Sequence, residues 1–196
     1  MNRTGSISAL AAAAALASAA AAQQTDVLLV VDLSVENQIT ITATDGLSAA
    51  TAVGSDSIGV YFDNFYGVSG SSLSATLLFG DLTSVGSPTD GSPSLFRGGI
   101  GSDTGLNMYS WSDDLEVTFT AGERAFIGSA TWALDPNEYL DMLAASLSGN
   151  LYFPADTADD VSGATLLGRY TVIIPAPGAV TLAGAGLAMT ALRRRR

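Results

Sequence analysis

The chain of 196 residues contains no cysteine, no histidine and no lysine. Without cysteine there is no disulfide framework, thiolate zinc site or cysteine nucleophile. Without histidine there is no Ser-His-Asp triad, no imidazole base and no common zinc site. The lack of lysine removes Schiff-base chemistry and the P-loop lysine. Positive charge is scarce altogether: 8 Arg stand against 15 Asp and 4 Glu, for a net charge of −11.

The placement of these charges is more informative than their sum. All 19 acids fall between Asp26 and Asp160, opposed only by Arg97, Arg124 and Arg169. The middle of the chain thus carries about −16, whereas Arg3 and the run Arg193, Arg194, Arg195 and Arg196 put five positive charges at the ends. Phosphate backbones would repel so acidic a domain, which excludes nucleic acid as a partner.

Both ends read as targeting segments. Residues 9–22 include 11 Ala, preceded by the short basic stretch Met1-Asn2-Arg3. A basic start, an apolar stretch and small residues describe a signal peptide. Ala20 and Ala22 fill the −3 and −1 pockets for a signal-peptidase cut before Gln23, so residues 1–22 stand apart from the fold. At the other end, Pro175-Ala176-Pro177 is followed by the uncharged stretch Gly178–Leu192 and the four arginines. As a helix, those 15 residues cover about 22 Å, and snorkelling arginines extend a short membrane span. The arginine cluster stays cytoplasmic by the positive-inside rule, which places residues 23–174 across the membrane.

The Pro-x-Pro signal, apolar stretch and terminal arginines, paired with an N-terminal signal peptide, resemble the PEP-CTERM sorting signal of bacterial proteins. Ala176 stands where that family has Glu. The resemblance covers residues 175–196 plus the signal peptide. It implies an exosortase-like membrane enzyme as a partner, with removal of the tail and transfer to the cell surface or extracellular matrix.

Residues 23–174 are enough for one domain with a sizeable core. Apolar residues recur with period two over most of that length, the mark of half-buried strands. Val31, Leu33 and Val35, then Ile39, Ile41 and Ala43 across the turn at Glu36-Asn37, predict a hairpin. Further strands are predicted at 58–65, 73–79, 115–120, 124–134, 149–153 and 165–173. The expected fold is all-β, an antiparallel β-sandwich or jelly roll with one short helix. That helix begins at Asp135-Pro136-Asn137-Glu138, with a cap acceptor, proline in the first turn and a reciprocal Glu. Its expected buried face is Leu140, Leu143, Ala144 and Leu147. Residues 81–105 read as a long exposed loop. Phe79, Phe119, Phe126, Trp132 and Phe153 are expected in the core, and the cluster Tyr61, Phe62, Phe65 and Tyr66 is expected to split between two faces.

Three kinds of chemistry remain open. Asp156, Asp159 and Asp160 supply oxygens of the kind calcium requires, as do Asp113, Asp114 and Glu116, so calcium is the one candidate cofactor. Tyr109 and Trp111 alternate to one face of an extended segment and offer a stacking platform for an extracellular polysaccharide. Paired carboxylates leave a small glycosidase conceivable. The reading favoured by composition and ends together is a non-catalytic, exported surface or matrix protein, with a carbohydrate-binding module as the alternative.

Overall fold

The computed structural model describes residues 25–66, 73–87, 93–97, 103–112, 116–144 and 146–175. They are mostly β-sheet with one short α-helix. The first seven strands are β1 (Val27–Asp32), β2 (Gln38–Ala43), β3 (Ala52–Gly54), β4 (Val60–Phe62), β5 (Ala75–Gly80), β6 (Thr83–Ser84) and β7 (Ser94–Phe96). Then come β8 (Leu106–Tyr109), β9 (Val117–Phe119), β10 (Phe126–Ile127), β11 (Ser129–Leu134), helix α1 (Pro136–Leu143), β12 (Ser148–Phe153) and β13 (Thr165–Ile173).

Nine strands make one sheet in the order β5-β11-β2-β1-β13-β12-β4-β8-β7. It curls into a nearly closed, barrel-like wall that brings edge strands β5 and β7 near each other. Two small ribbons, β6–β10 and β3–β9, complete the set. The β1–β2 hairpin is formed, with Val31 opposite Ile41 and Asn37 supplying a left-handed turn residue at φ 58°. Asn tolerates that region better than most residues.

The expectation of an antiparallel β-sandwich or jelly roll needs two corrections: the main layer is one nearly closed sheet in place of two packed sheets, and β1 and β13 pair in parallel. Parallel neighbours require a long crossover. Here the crossover is the whole domain between the first and last strands. β13 is also the middle strand of the nine, so the sheet is complete only when the last strand arrives.

Alternation along the strands buries one continuous core. One aromatic group joins Phe62, Phe65, Tyr66 and Tyr170, with Phe62 and Tyr170 centroids 5.3 Å apart. A second joins Trp111, Phe119, Phe126 and Phe153, with Phe119 and Phe153 at 5.0 Å. The expected core positions Phe119, Phe126, Trp132 and Phe153 are buried, but Phe79 is 64% exposed. It lies on β5, an edge strand, where the register with β11 shifts between Thr131 and Trp132. That bulge breaks the alternation, leaving both Leu78 and Phe79 exposed.

The helix starts where expected: the Asp135 carboxylate accepts from the Asn137 N–H at 2.9 Å, with proline in the first turn. Its buried face is different. Glu138, Tyr139 and Met142 point inward; of the expected residues Leu143 packs partly buried against the core, whereas Leu140 and Ala144 are exposed and the helix ends before Leu147. Glu138 turns to Arg97, and the Tyr139 hydroxyl donates to the Leu33 carbonyl at 2.7 Å. The segment 81–105 is likewise not a plain exposed loop. It contains β6 and β7 and buries Leu82, Leu95 and Arg97.

Candidate functional site

Two buried polar clusters stand out. The first centres on Arg97, which follows β7 and is fully buried. Its Nη1 lies 3.2 Å from Glu138 Oε2 and 3.0 Å from Asp141 Oδ2, both on α1. Its guanidinium sits 3.6 Å from the Tyr66 ring centroid. A planar, weakly hydrated cation suits such a stacked and paired position better than an ammonium would. The cluster fastens α1 to the β7 end of the sheet.

The second cluster is built where β4 ends and β8 begins. The Tyr61 hydroxyl donates to Asp103 Oδ1, which also accepts from the Gly105 N–H at 2.9 Å. This is an Asx turn, in which Asp closes on the backbone two residues later. The other oxygen, Asp103 Oδ2, is buried and has no hydrogen-bond partner among the described residues, and the same holds for the Tyr66 hydroxyl. The cluster does split between faces, but both are buried: Phe62, Phe65 and Tyr66 join the core, while Tyr61 lies on the other side of β4 under residues 103–105. Chemically, Asp103 is an acceptor with one oxygen committed and one open.

The acidic turn after β12 forms a short 3-10 helix, Ala158–Ser162. Asp156 and Asp160 share a hydrogen bond there, which holds Asp156 above and Asp160 below the ordinary carboxylate range. Asp159 lies between them in sequence, on that same short helix. Among the described residues, no three or more acidic side chains are grouped to hold a metal ion. Asp113 and Asp114 lie outside the described residues.

The stacking platform at Tyr109 and Trp111 is not formed. Ser110 between them adopts φ 55°, which ends the extended alternation, so the two rings do not share a face. Trp111 is fully buried against Phe126 and Phe153, and its Nε1–H donates to Ser84 Oγ at 3.2 Å. Tyr109 is only half-buried, opposite Ser94. Of the remaining expected residues, Pro175 is described, half-buried just beyond β13. Ala20, Ala22, Gln23, Ala176, Pro177 and Arg193 to Arg196 lie outside the described residues. Among the described residues, no helix is long and apolar enough to cross a membrane.

Sequence reasoning missed both buried clusters. Arg97 and its acids are 41 and 44 residues apart, which no local pattern connects. Asp103-Thr104-Gly105 did carry a turn signal, but nothing in it pointed to Tyr61.

Four of the six tyrosines are held above the ordinary phenol range. Burial is the main cause at Tyr61, Tyr66, Tyr139 and Tyr170; at Tyr61 the hydrogen bond to Asp103 and the charges of Asp103 and Asp63 add to it. A raised folded-state value means stability is fully present below the unfolded value, about pH 10, and is lost as pH rises beyond it. Absorbance titration should therefore show these phenols ionising in one cooperative step together with loss of the β-sheet circular dichroism. Gradual ionisation of all six with the sheet intact would contradict their burial.

No protein-family model, curated protein or solved structure matches the chain.

Proposed function

We propose that the chain is an exported cell-surface or extracellular-matrix protein with a non-catalytic, structural or interaction role. Its precursor carries a signal peptide over residues 1–22 and a PEP-CTERM-like tail over residues 175–196. Signal peptidase removes the first, and an exosortase-like membrane enzyme acts at Pro175-Ala176-Pro177. The −16 middle is then the mature domain, facing an aqueous exterior where such a surface resists association.

The observation that carries this reading is the fit between the fold and the two segments. The first strand begins at Val27, four residues after Gln23, and the last ends at Ile173, two residues before Pro175. The Leu33 N–H donates to the Ile173 carbonyl at 2.8 Å, so the sheet is tied to its last strand residue. A cut at the motif would leave every strand of the main sheet in place. A cut a few residues earlier would remove part of the central strand.

Intact-mass measurement of protein released from the native cell surface tests the reading. The expected mass begins at Gln23 and ends near Pro175. Released protein that still carries Arg193 to Arg196 would overturn the processing step. The alternative reading, a glycan-binding role, has less support, because Trp111 of the expected stacking pair is buried.

A further inference from the structure

The chain leaves the domain at the end of β13, and four segments meet there. They are the β1–β2 turn, α1, the start of β12 and the end of β13. Val172 N–H donates to the Leu147 carbonyl at 2.8 Å, Asp32 pairs with Ile173, and Tyr139 of α1 reaches Leu33. Leu134, at the foot of α1, donates to Asn37 of the β1–β2 turn at 2.9 Å. On these segments Val35, Leu140, Leu147, Ile173 and Ile174 are exposed, at 55%, 62%, 54%, 48% and 38%. Single exposed apolar residues are ordinary, but several gathered at one place mark an interaction surface.

We propose that this end of the barrel rests on the lipid surface of the membrane in the tethered precursor. The proposal depends on the reading of residues 175–196 as a membrane tether. Its distinctive support is distance: Pro175 and the start of the apolar stretch at Gly178 are three residues apart, at most about 10 Å of chain. A tether that short leaves the exit end no room to stand far from the bilayer. Apolar side chains at such a face enter the boundary between headgroups and acyl chains. A second copy of the chain is the poorer occupant, since two domains of about −16 repel each other. Glu36 and Asp135 are exposed at the same end, so the contact favours zwitterionic over anionic lipid.

The cysteine-free sequence permits a direct test. Single-cysteine variants Val35→Cys, Leu147→Cys and Ile174→Cys of the full chain carry an environment-sensitive fluorophore. Ile58→Cys serves as the control, since Ile58 lies at the opposite end, where the Ala155 N–H beyond β12 bonds Gly59. Each is reconstituted in phosphatidylcholine vesicles containing brominated phosphatidylcholine, and flotation is measured before quenching. The expected result is flotation of every variant, with the exit-end labels quenched several-fold more than the label at position 58. Flotation with equal quenching at all four positions overturns the surface contact and leaves the tether standing. Failure to float overturns the tether and the contact with it. Adding Leu140→Glu and Leu147→Glu to the Ile174→Cys variant is expected to abolish its excess quenching while flotation persists.

Discussion

Arg97→Met is expected to destabilise the domain by about 3–5 kcal/mol, because it takes a close cation from a buried carboxylate. The side chain of Glu138 is 8% exposed and faces the Arg97 guanidinium at 3.2 Å. Without that cation its charge stays in the interior with a close opposite charge gone. The Tyr66 ring also loses the cation above it, a contribution of about 0.5–2 kcal/mol by itself. Asp141 is different: its side chain is 42% exposed, so water replaces the arginine. Asp141→Asn is expected to cost under about 1 kcal/mol. Thermal unfolding of Arg97→Met should show a fall of roughly 6–20 °C in Tm, at about 2–4 °C per kcal/mol for a domain of this size. The double variant Arg97→Met/Glu138→Met should recover most of the loss, since it removes the buried charge and leaves apolar volume. A single variant that unfolds like the parent would show that α1 is not held by this cluster.

The parts of the fold that were legible in the sequence are those where one face is wet and the other dry. β2 alternates Ile39 and Ile41 with threonines and was read directly; β13 does the same at its far end, with Tyr170 and Val172 buried on either side of Thr171. The helix start was legible because Asp135 and Pro136 act locally on the first turn. Its buried face was not, because a charged partner from a distant segment turns Glu138 inward and reverses the ordinary polarity of that position. β4 was overextended for a related reason. It is buried on both sides, so its residues show no alternation to mark where the strand ends. The candidate stacking pair failed on a single dihedral, the positive φ of Ser110, which is unusual for a serine and has no sequence signature.

Gly105→Ala is expected to be as damaging as the loss of Arg97, through steric rather than electrostatic means. A Cβ at position 105 would lie 1.9 Å from Cζ of Tyr61 and 2.1 Å from its hydroxyl oxygen. These are atoms of a rigid ring that is 1% exposed, so it cannot swing out of the way without moving its neighbours. Displacing the ring also breaks the bond from the Tyr61 hydroxyl to Asp103 Oδ1, on a carboxylate whose second oxygen already lacks a partner among the described residues. Overpacking costs about 1–3 kcal/mol, and a buried carboxylate oxygen losing one of its two donors costs about 1–3 kcal/mol more. The combined loss of roughly 2–6 kcal/mol should appear as a lower urea midpoint with an unchanged slope. Tyr61→Phe alone separates the two parts, because it removes the hydroxyl while leaving the ring; it should cost only the hydrogen-bond share, about 1–3 kcal/mol. If Gly105→Ala is worse than Tyr61→Phe, and Gly105→Ala/Tyr61→Leu is milder than Gly105→Ala, the close approach of glycine to the ring is what requires glycine there. Equal losses for Gly105→Ala and Tyr61→Phe would place the whole effect in the hydrogen bond to Asp103.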